Sequence, residues 1–118
     1  ELEPDLELFM NAYIDRITPD FVNLSIGLRA PQLYEETAPM IIKVPQAFVT
    51  SLTEYFKKME AMGKIGHLDF ETLAMTIFSS TFGYTFLTAS FGQNLVHTDR
   101  ASFIQSSVKM FADGILKA

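Results

Sequence analysis

The sequence contains no cysteine and no tryptophan in its 118 residues. The lack of cysteine excludes disulfides, thiolate nucleophiles and cysteine-ligated metal sites. Hydrophobic residues make up 48% of the chain and charged residues 19%. This balance excludes a disordered tail, which needs few apolar residues and a high net charge. A chain of this length can bury roughly 65% of its unfolded surface. We therefore expect one folded domain over 1–118.

A basic surface is also missing, because nine lysines and arginines stand against 14 acidic residues, for a net charge of −5. Residues 1–20 contain six of the acids and one base, so this segment carries the whole net charge. Binding to nucleic acid needs a basic patch, so we expect this chain not to contact DNA or RNA by itself. We interpret the acidic segment as solvated surface near a helix start. The alternative is a face turned towards another domain of the intact protein.

Proline is absent after residue 45, whereas the first 45 residues contain all five prolines. Proline interrupts helix interiors, so the first part of the chain is expected to form short helices with bends and the rest long ones. No strand-like alternation persists anywhere. The predicted fold is therefore all-α, a bundle of about five to six helices. The apolar spacing predicts helices over 4–17, 19–28, 32–37, 46–62, 70–91 and 99–116.

The predicted helix ends carry recognisable residues. Asp69 and Thr98 are the predicted N-caps of the last two helices, because their side-chain oxygens can accept first-turn N–H bonds. Gly63 and Gly92 are the predicted stops of the helices before them. The apolar stripe of 46–62 consists of Phe48, Leu52, Tyr55, Met59 and Met62.

Charged side chains are absent from 72–98. A run of this length raises the possibility of a membrane span. Eight serines and threonines between 72 and 90 dilute it, and no aromatic belt or basic flank accompanies it, so we expect no span. A helix that is apolar on all sides is normally enclosed. Full enclosure of such a helix is difficult in 118 residues without a second subunit.

Both of the last two predicted helices have a second apolar stripe in addition to their core stripe. The predicted core stripes are Leu73, Ile77, Tyr84, Leu87 and Phe91, and then Ile104, Val108, Phe111 and Ile115. The alternative is that the phenylalanines and methionines of the second stripes also belong to the core of the subunit. We favour a homodimer in which the last two helices of each subunit form a four-helix bundle. The predicted interface residues are Met75, Ser79, Phe82, Gly83, Phe86, Phe103, Ser106, Ser107, Met110 and Gly114.

Three stretches resemble the C-terminal regulatory domain of TetR/AcrR-family transcriptional repressors. They are the aspartate-led helix over 68–84, the terminal helix over 103–116 with its late glycine, and the helix over 46–62. The resemblance implies an all-α domain that dimerises through its last two helices and has a small-molecule pocket controlling DNA binding. It also implies a helix-turn-helix DNA-binding domain upstream of residue 1 and a cytoplasmic location.

Pockets in helical domains are lined by apolar and aromatic side chains with a few polar groups. Tyr13 and Tyr55 stand out because a buried phenol needs a partner, which a ligand could supply. For each candidate, the alternative is that it is plain core. The favoured effector is small and mostly apolar or amphipathic. The predicted ligand-binding residues are Phe9, Tyr13, Phe21, Leu24, Ser25, Leu28, Phe48, Leu52, Tyr55, Met59 and Phe82, with Tyr34 as a further candidate.

Enzyme chemistry finds little support in the sequence. His67 and His97 fall in predicted loops without a second ligand at metal-binding spacing, and no phosphate-binding or nucleophile motif is present. We predict no catalytic residues, no metal and no cofactor. The function that we predict is effector sensing and homodimerisation in a TetR-like repressor. The alternative is a helical protein-interaction module without a small-molecule site.

Overall fold

The computed structural model describes residues 1–16 and 42–117, which form four α-helices and one 3₁₀ turn at Gly92–Asn94. The helices are α1 (Leu2–Arg16), α2 (Lys43–Ala61), α3 (Phe70–Phe91) and α4 (Arg100–Lys117). These described ranges contain no strand, so the all-α prediction is confirmed. The short helices predicted over 19–28 and 32–37 lie outside the described residues. The four observed helices therefore compare with five to six predicted for the whole chain.

The start of α3 and the C-terminal ends of α2 and α3 lie where the sequence predicts them, whereas α2 begins at Lys43, before the predicted start at 46. The Asp69 carboxylate accepts a hydrogen bond from the Thr72 backbone N–H at 3.1 Å, so it caps α3. Gly63 follows α2 with φ +72°, and Gly92 ends α3 with φ +54°. Both values lie in the left-handed region, which glycine adopts without the steric cost that other residues meet.

The start of α4 differs from the prediction by one residue. The cap is Asp99, whose carboxylate accepts a hydrogen bond from the Ser102 N–H at 2.7 Å. Thr98 does not cap the helix, because its hydroxyl points to the Asp99 carbonyl at 3.4 Å. The Thr98 carbonyl instead accepts a hydrogen bond from the Tyr84 hydroxyl at 3.1 Å, which attaches the loop before α4 to α3.

The hydrophobic core lies where α1 meets the other three helices and α2 packs along α3. Each helix contributes one stripe of apolar side chains, as expected for amphipathic helices around a common core. The predicted stripe of α4 is confirmed, with Phe111 partly buried and the others nearly inaccessible. The largest fully buried apolar side chains are Phe56, Leu6, Met10, Leu52, Ile77, Ile115 and Val108.

The core face of α3 differs from the predicted one. Thr81 and Thr85 are buried, whereas Leu87 and Phe91 are 37% and 52% exposed. Both threonine hydroxyls donate to the backbone carbonyl four residues earlier, which leaves their methyl groups to pack against the core. Because α3 is apolar on nearly every side, the sequence pattern points only weakly to one face. In the described ranges no helix combines the length and the apolarity needed to cross a bilayer.

Arg100 joins the first described helix to the last. Its Nε donates to Asn11 Oδ1 at 3.1 Å, and its Nη2 donates to the Asn11 carbonyl at 2.9 Å and to Asp15 Oδ1 at 2.7 Å. The guanidinium group therefore fixes the end of α1 to the start of α4. Hydrogen bonds between charged groups are stronger than neutral ones, so this contact holds the two helices in register.

Acidification is expected to destabilise the fold through the two caps. Hydrogen bonds from Thr72 hold the pKa of Asp69 below its ordinary value of 3.8, and those from Ser102 do the same for Asp99. The stabilisation is present above the unfolded pKa and is lost as the pH falls through the lower folded pKa. Urea unfolding between about pH 5 and pH 2 should show this loss.

An asparagine control isolates the titration from the cap itself. Asparagine also caps helices, so the D69N/D99N variant should keep the caps but unfold with a flatter pH dependence than the wild type. D113N is the matched control, because Asp113 is exposed on α4 and caps no helix. An unchanged pH dependence in D69N/D99N would contradict the prediction.

Candidate ligand pocket and dimer face

A pocket of about 380 Å³ opens between α1 and the first half of α2. It includes three of the predicted ligand-binding residues, Phe9, Tyr13 and Phe48. Phe9 and Tyr13 lie four residues apart on α1, so both face the start of α2, where Phe48 lies. The remaining lining residues are Ala12, Arg16, Lys43, Val44, Ala47 and Ser51.

Aromatic rings form one wall of this pocket and continue behind it. Tyr13 meets Phe48 with ring centroids 5.1 Å apart and Phe78 at 5.2 Å, both edge to face. Phe9 meets Phe48 at 6.3 Å in the same geometry. Such arrangements bring the positive ring edge to the negative ring face, which stabilises the cluster and fixes the shape of the wall. Phe78 is not among the predicted pocket residues, although it precedes the candidate Phe82 by four residues on the same helix face.

Phe82 contributes to this wall only through Phe78. Its ring stacks on that of Phe78 at 5.9 Å and on that of Phe86 at 6.2 Å, so the three form a ladder along α3. Phe82 and Phe86 are partly buried and pack against the hydrophobic core of the same subunit. The ladder therefore lies beside the pocket. It includes Phe82 and Phe86, which are two of the residues predicted for the dimer interface.

Tyr13 is 3% exposed, and this burial raises the pKa of its phenol well above the ordinary value of 10. The group is therefore neutral over the physiological range and adds one hydroxyl to an aromatic wall. Its ring contacts come from both α2 and α3, which leaves it little freedom to rotate. Tyr13 is the predicted residue whose position best fits a ligand contact.

Tyr55 has a partner within the protein. Its hydroxyl donates to Asp5 Oδ2 at 2.7 Å, which links α2 to the start of α1. Burial is the main cause that raises the pKa of Tyr55, and this hydrogen bond is the second cause. The same bond lowers the pKa of Asp5. The phenol therefore needs no ligand to satisfy it, and it lies outside the pocket lining.

The other predicted pocket residues divide into two groups. Leu52 is fully buried and Met59 is 7% exposed, and both belong to the hydrophobic core. Neither lines the α1–α2 pocket. The remaining candidates, Phe21, Leu24, Ser25, Leu28 and Tyr34, lie outside the described residues.

Five of the predicted interface residues line one open groove between α3 and α4. The groove has a volume of about 640 Å³ and includes Ser79 and Gly83 from α3 and Phe103, Ser107 and Met110 from α4. Tyr84 stacks on Phe103 with centroids 4.2 Å apart, so one aromatic pair bridges the two helices. In the part of the chain that the structure describes, the groove lining contains no carboxylate, lysine or arginine.

The outer surfaces of these two helices are partly apolar. Met75 is 46% exposed and Met110 is 68% exposed. Ser106 and Gly114, the remaining predicted interface residues, are also exposed. We call the surface formed by the groove and these residues the α3–α4 face. Further exposed apolar side chains in the same part of the chain are Leu87, Phe91, Leu95 and Leu116.

The two histidines show no metal-binding arrangement. His67 Nδ1 lies 2.7 Å from Glu60 Oε2, and both groups are at the surface after α2. His97 is exposed at the rim of the α3–α4 groove. Across residues 1–16 and 42–117, no group of three or more histidines and carboxylates is arranged to hold a metal ion.

Comparison with known proteins found no matching family model, no similar curated protein and no similar solved structure. The functional assignment therefore depends on the sequence and on the geometry of the α1–α2 pocket and the α3–α4 face.

Proposed function

We propose that this chain is the effector-sensing and homodimerisation domain of a TetR-like transcriptional repressor. In this proposal the α1–α2 pocket takes a small apolar or amphipathic effector in the cytoplasm. The α3–α4 face joins two subunits, and an upstream helix-turn-helix domain contacts the DNA. The observation that carries the proposal is the pairing of an open aromatic pocket with a separate groove whose lining, among the described residues, contains no lysine, arginine or carboxylate.

The route from pocket to dimer runs through α1. This helix lines the pocket with Phe9 and Tyr13 and is attached to the start of α4 by Arg100. A ligand that binds one position of α1 more tightly than another shifts the population towards that position. Because α4 forms part of the α3–α4 face, such a shift would alter how two subunits meet. The spacing of two DNA-reading domains would change with it.

The exposed residues of the α3–α4 face support a protein partner. Large contiguous apolar surface is uncommon on monomers and marks interaction sites. A twofold interface places the same patch on both subunits, so the uncharged lining of the groove would meet its copy without like-charge repulsion. Small residues such as Ser79 and Gly83 would let two helix backbones approach closely.

An alternative is a helical protein-interaction module without a small-molecule site. Two observations favour it. The Tyr55 phenol is satisfied by Asp5, and Leu52 and Met59 belong to the packed core. On this alternative the α3–α4 face would still bind a protein, and the α1–α2 pocket would have no ligand.

Thermal-shift measurements with a panel of apolar and amphipathic compounds test the proposal. A ligand that binds the folded state raises Tm, and at about 100 times Kd the stabilisation is about 2.7 kcal/mol. A47F should abolish the shift, because the added ring fills the mouth of the pocket. A61F is the control, since Ala61 is exposed at the far end of α2. The proposal fails if no compound raises Tm, or if A47F responds like A61F.

A further inference from the structure

The rim of the α1–α2 pocket carries positive charge. Arg16 and Lys43 both line the pocket, and the nine lining residues within 1–16 and 42–117 include no carboxylate. We propose that the ligand of this pocket is an amphipathic anion, with an aromatic or alkyl body and a carboxylate-type head group. This inference rests on the proposed function, and it narrows the effector from apolar or amphipathic compounds to one class.

The positive rim runs against the composition of its surroundings. The chain has a net charge of −5, and α1 is the most acidic part of the chain. The nearest carboxylate in sequence, that of Asp15, is held by Arg100 of α4 at 2.7 Å. Asp15 is absent from the pocket lining, as are the other acids of α1. The charge facing the pocket is therefore opposite in sign to that of the segment that builds it.

The start of α2 adds to the same potential. A helix N-terminus carries a partial positive charge from its unsatisfied N–H groups. The first turn of α2 contains no acidic residue, and Ile42 at the cap position provides no side-chain hydrogen bond. Lys43 and Val44, the first two residues of the helix, both line the pocket. The side chains and the helix end thus favour the same kind of head group.

The apolar lining residues of the pocket determine which kind of ligand body fits. Phe9, Tyr13 and Phe48 provide ring surface, and Ala12, Val44 and Ala47 provide small apolar surface. A carboxylate placed between Arg16 and Lys43 can accept charge-assisted hydrogen bonds, and the attached body then covers the rings. A cationic ligand would be repelled by the rim, and a neutral one would lose these bonds.

The test compares two probes of the same shape, 2-naphthoate and 2-naphthamide, by isothermal titration calorimetry on the full 118-residue chain. The carboxylate should bind about tenfold more tightly than the amide, corresponding to about 1.4 kcal/mol. This preference should weaken as salt is raised, because both cations are at the surface. R16Q/K43Q should remove the preference, because it weakens binding of the carboxylate more than binding of 2-naphthamide. K58Q/K64Q, which removes two exposed lysines outside the pocket, should behave like the wild type.

Each result separates this inference from the proposed function. Equal or tighter binding of 2-naphthamide would overturn the anionic head group and leave the pocket in place. The same holds for a preference that survives in R16Q/K43Q, because the anion would then bind elsewhere. If neither probe binds the wild type and the thermal-shift panel is also silent, both the inference and the effector-sensing function are overturned. Binding of both probes with the expected preference supports both.

Discussion

G83R is expected to convert a dimer into a monomer without unfolding the subunit. Gly83 lies in the α3–α4 groove, and a Cβ built at this position meets no heavy atom within 4 Å. A side chain can therefore begin at this position without a clash at its Cβ, whereas an arginine in a twofold interface would bury two like charges. Sedimentation equilibrium should give about twice the 13.3 kDa subunit mass for the wild type and the subunit mass for G83R.

G83A provides the matched control. Alanine is favoured over glycine in helix interiors by up to about 1 kcal/mol, so the free energy of unfolding of G83A should rise. Its side chain is still small, and the dimer should persist. Circular dichroism of G83R should match that of the wild type. A wild-type monomer at high micromolar concentration, or a dimeric G83R, would refute the predicted interface.

F56A is expected to cause the largest loss of stability of any single truncation in the core. The Phe56 side chain is fully buried and stacks on Phe70 at 5.9 Å, so it joins α2 to the first turn of α3. Removal of a buried phenylalanine ring costs about 3–5 kcal/mol, from lost transfer free energy and the cavity left behind. Much of the stability of a small domain would be lost. Urea unfolding monitored by circular dichroism measures the change.

M62A is the control for F56A. Met62 follows α2 and is 60% exposed, so its truncation should change the free energy of unfolding by less than about 0.5 kcal/mol. Both variants remove apolar atoms from neighbouring positions, and only burial separates them. A loss below about 1 kcal/mol for F56A would mean that the contact between α2 and α3 is not as close as described.

The long helices could be predicted because their signals are local. The capping role of Asp69 and the stop at Gly92 depend on residues within one turn of each helix end, so the sequence identifies α3 over its full length. The shift from Thr98 to Asp99 at the start of α4 shows the limit of this reasoning. Two residues able to cap stand side by side, and the path of the loop, not residue type, selects between them.

The burial pattern was less predictable within the same helices. The predicted α2 stripe included the exposed Met62 and omitted Phe56, although Phe48, Leu52 and Phe56 also follow a helical spacing. The spacing allows both stripes, and only the position of α3 decides between them. On α3 the buried threonines, Thr81 and Thr85, would rank as surface residues on any hydrophobicity scale.

The contacts that attach α1 to α2 and to α4 depend on pairs that are distant in the sequence. Tyr55 meets Asp5 across 50 residues, and Arg100 meets Asp15 across 85. Neither pair has a sequence signature, so the expectation that Tyr55 needs a ligand could not have been corrected from the sequence. Tyr13, Phe9 and Phe48 were identified because ring-bearing residues at helical spacing point to one side of each helix.

The hydroxyl groups along α3 affect the free-energy cost of covering that helix with another protein surface. Thr76 and Ser80 are on its outer side, and each donates its proton to a carbonyl of its own helix, at 2.8 Å and 3.0 Å. A covering surface would therefore strand neither of these protons, and each stranded donor would cost about 1–3 kcal/mol. The outer side of α3 is hydrated when it is exposed to solvent, and its desolvation costs little hydrogen-bonding free energy when a partner covers it. These properties suit a surface that associates and separates repeatedly.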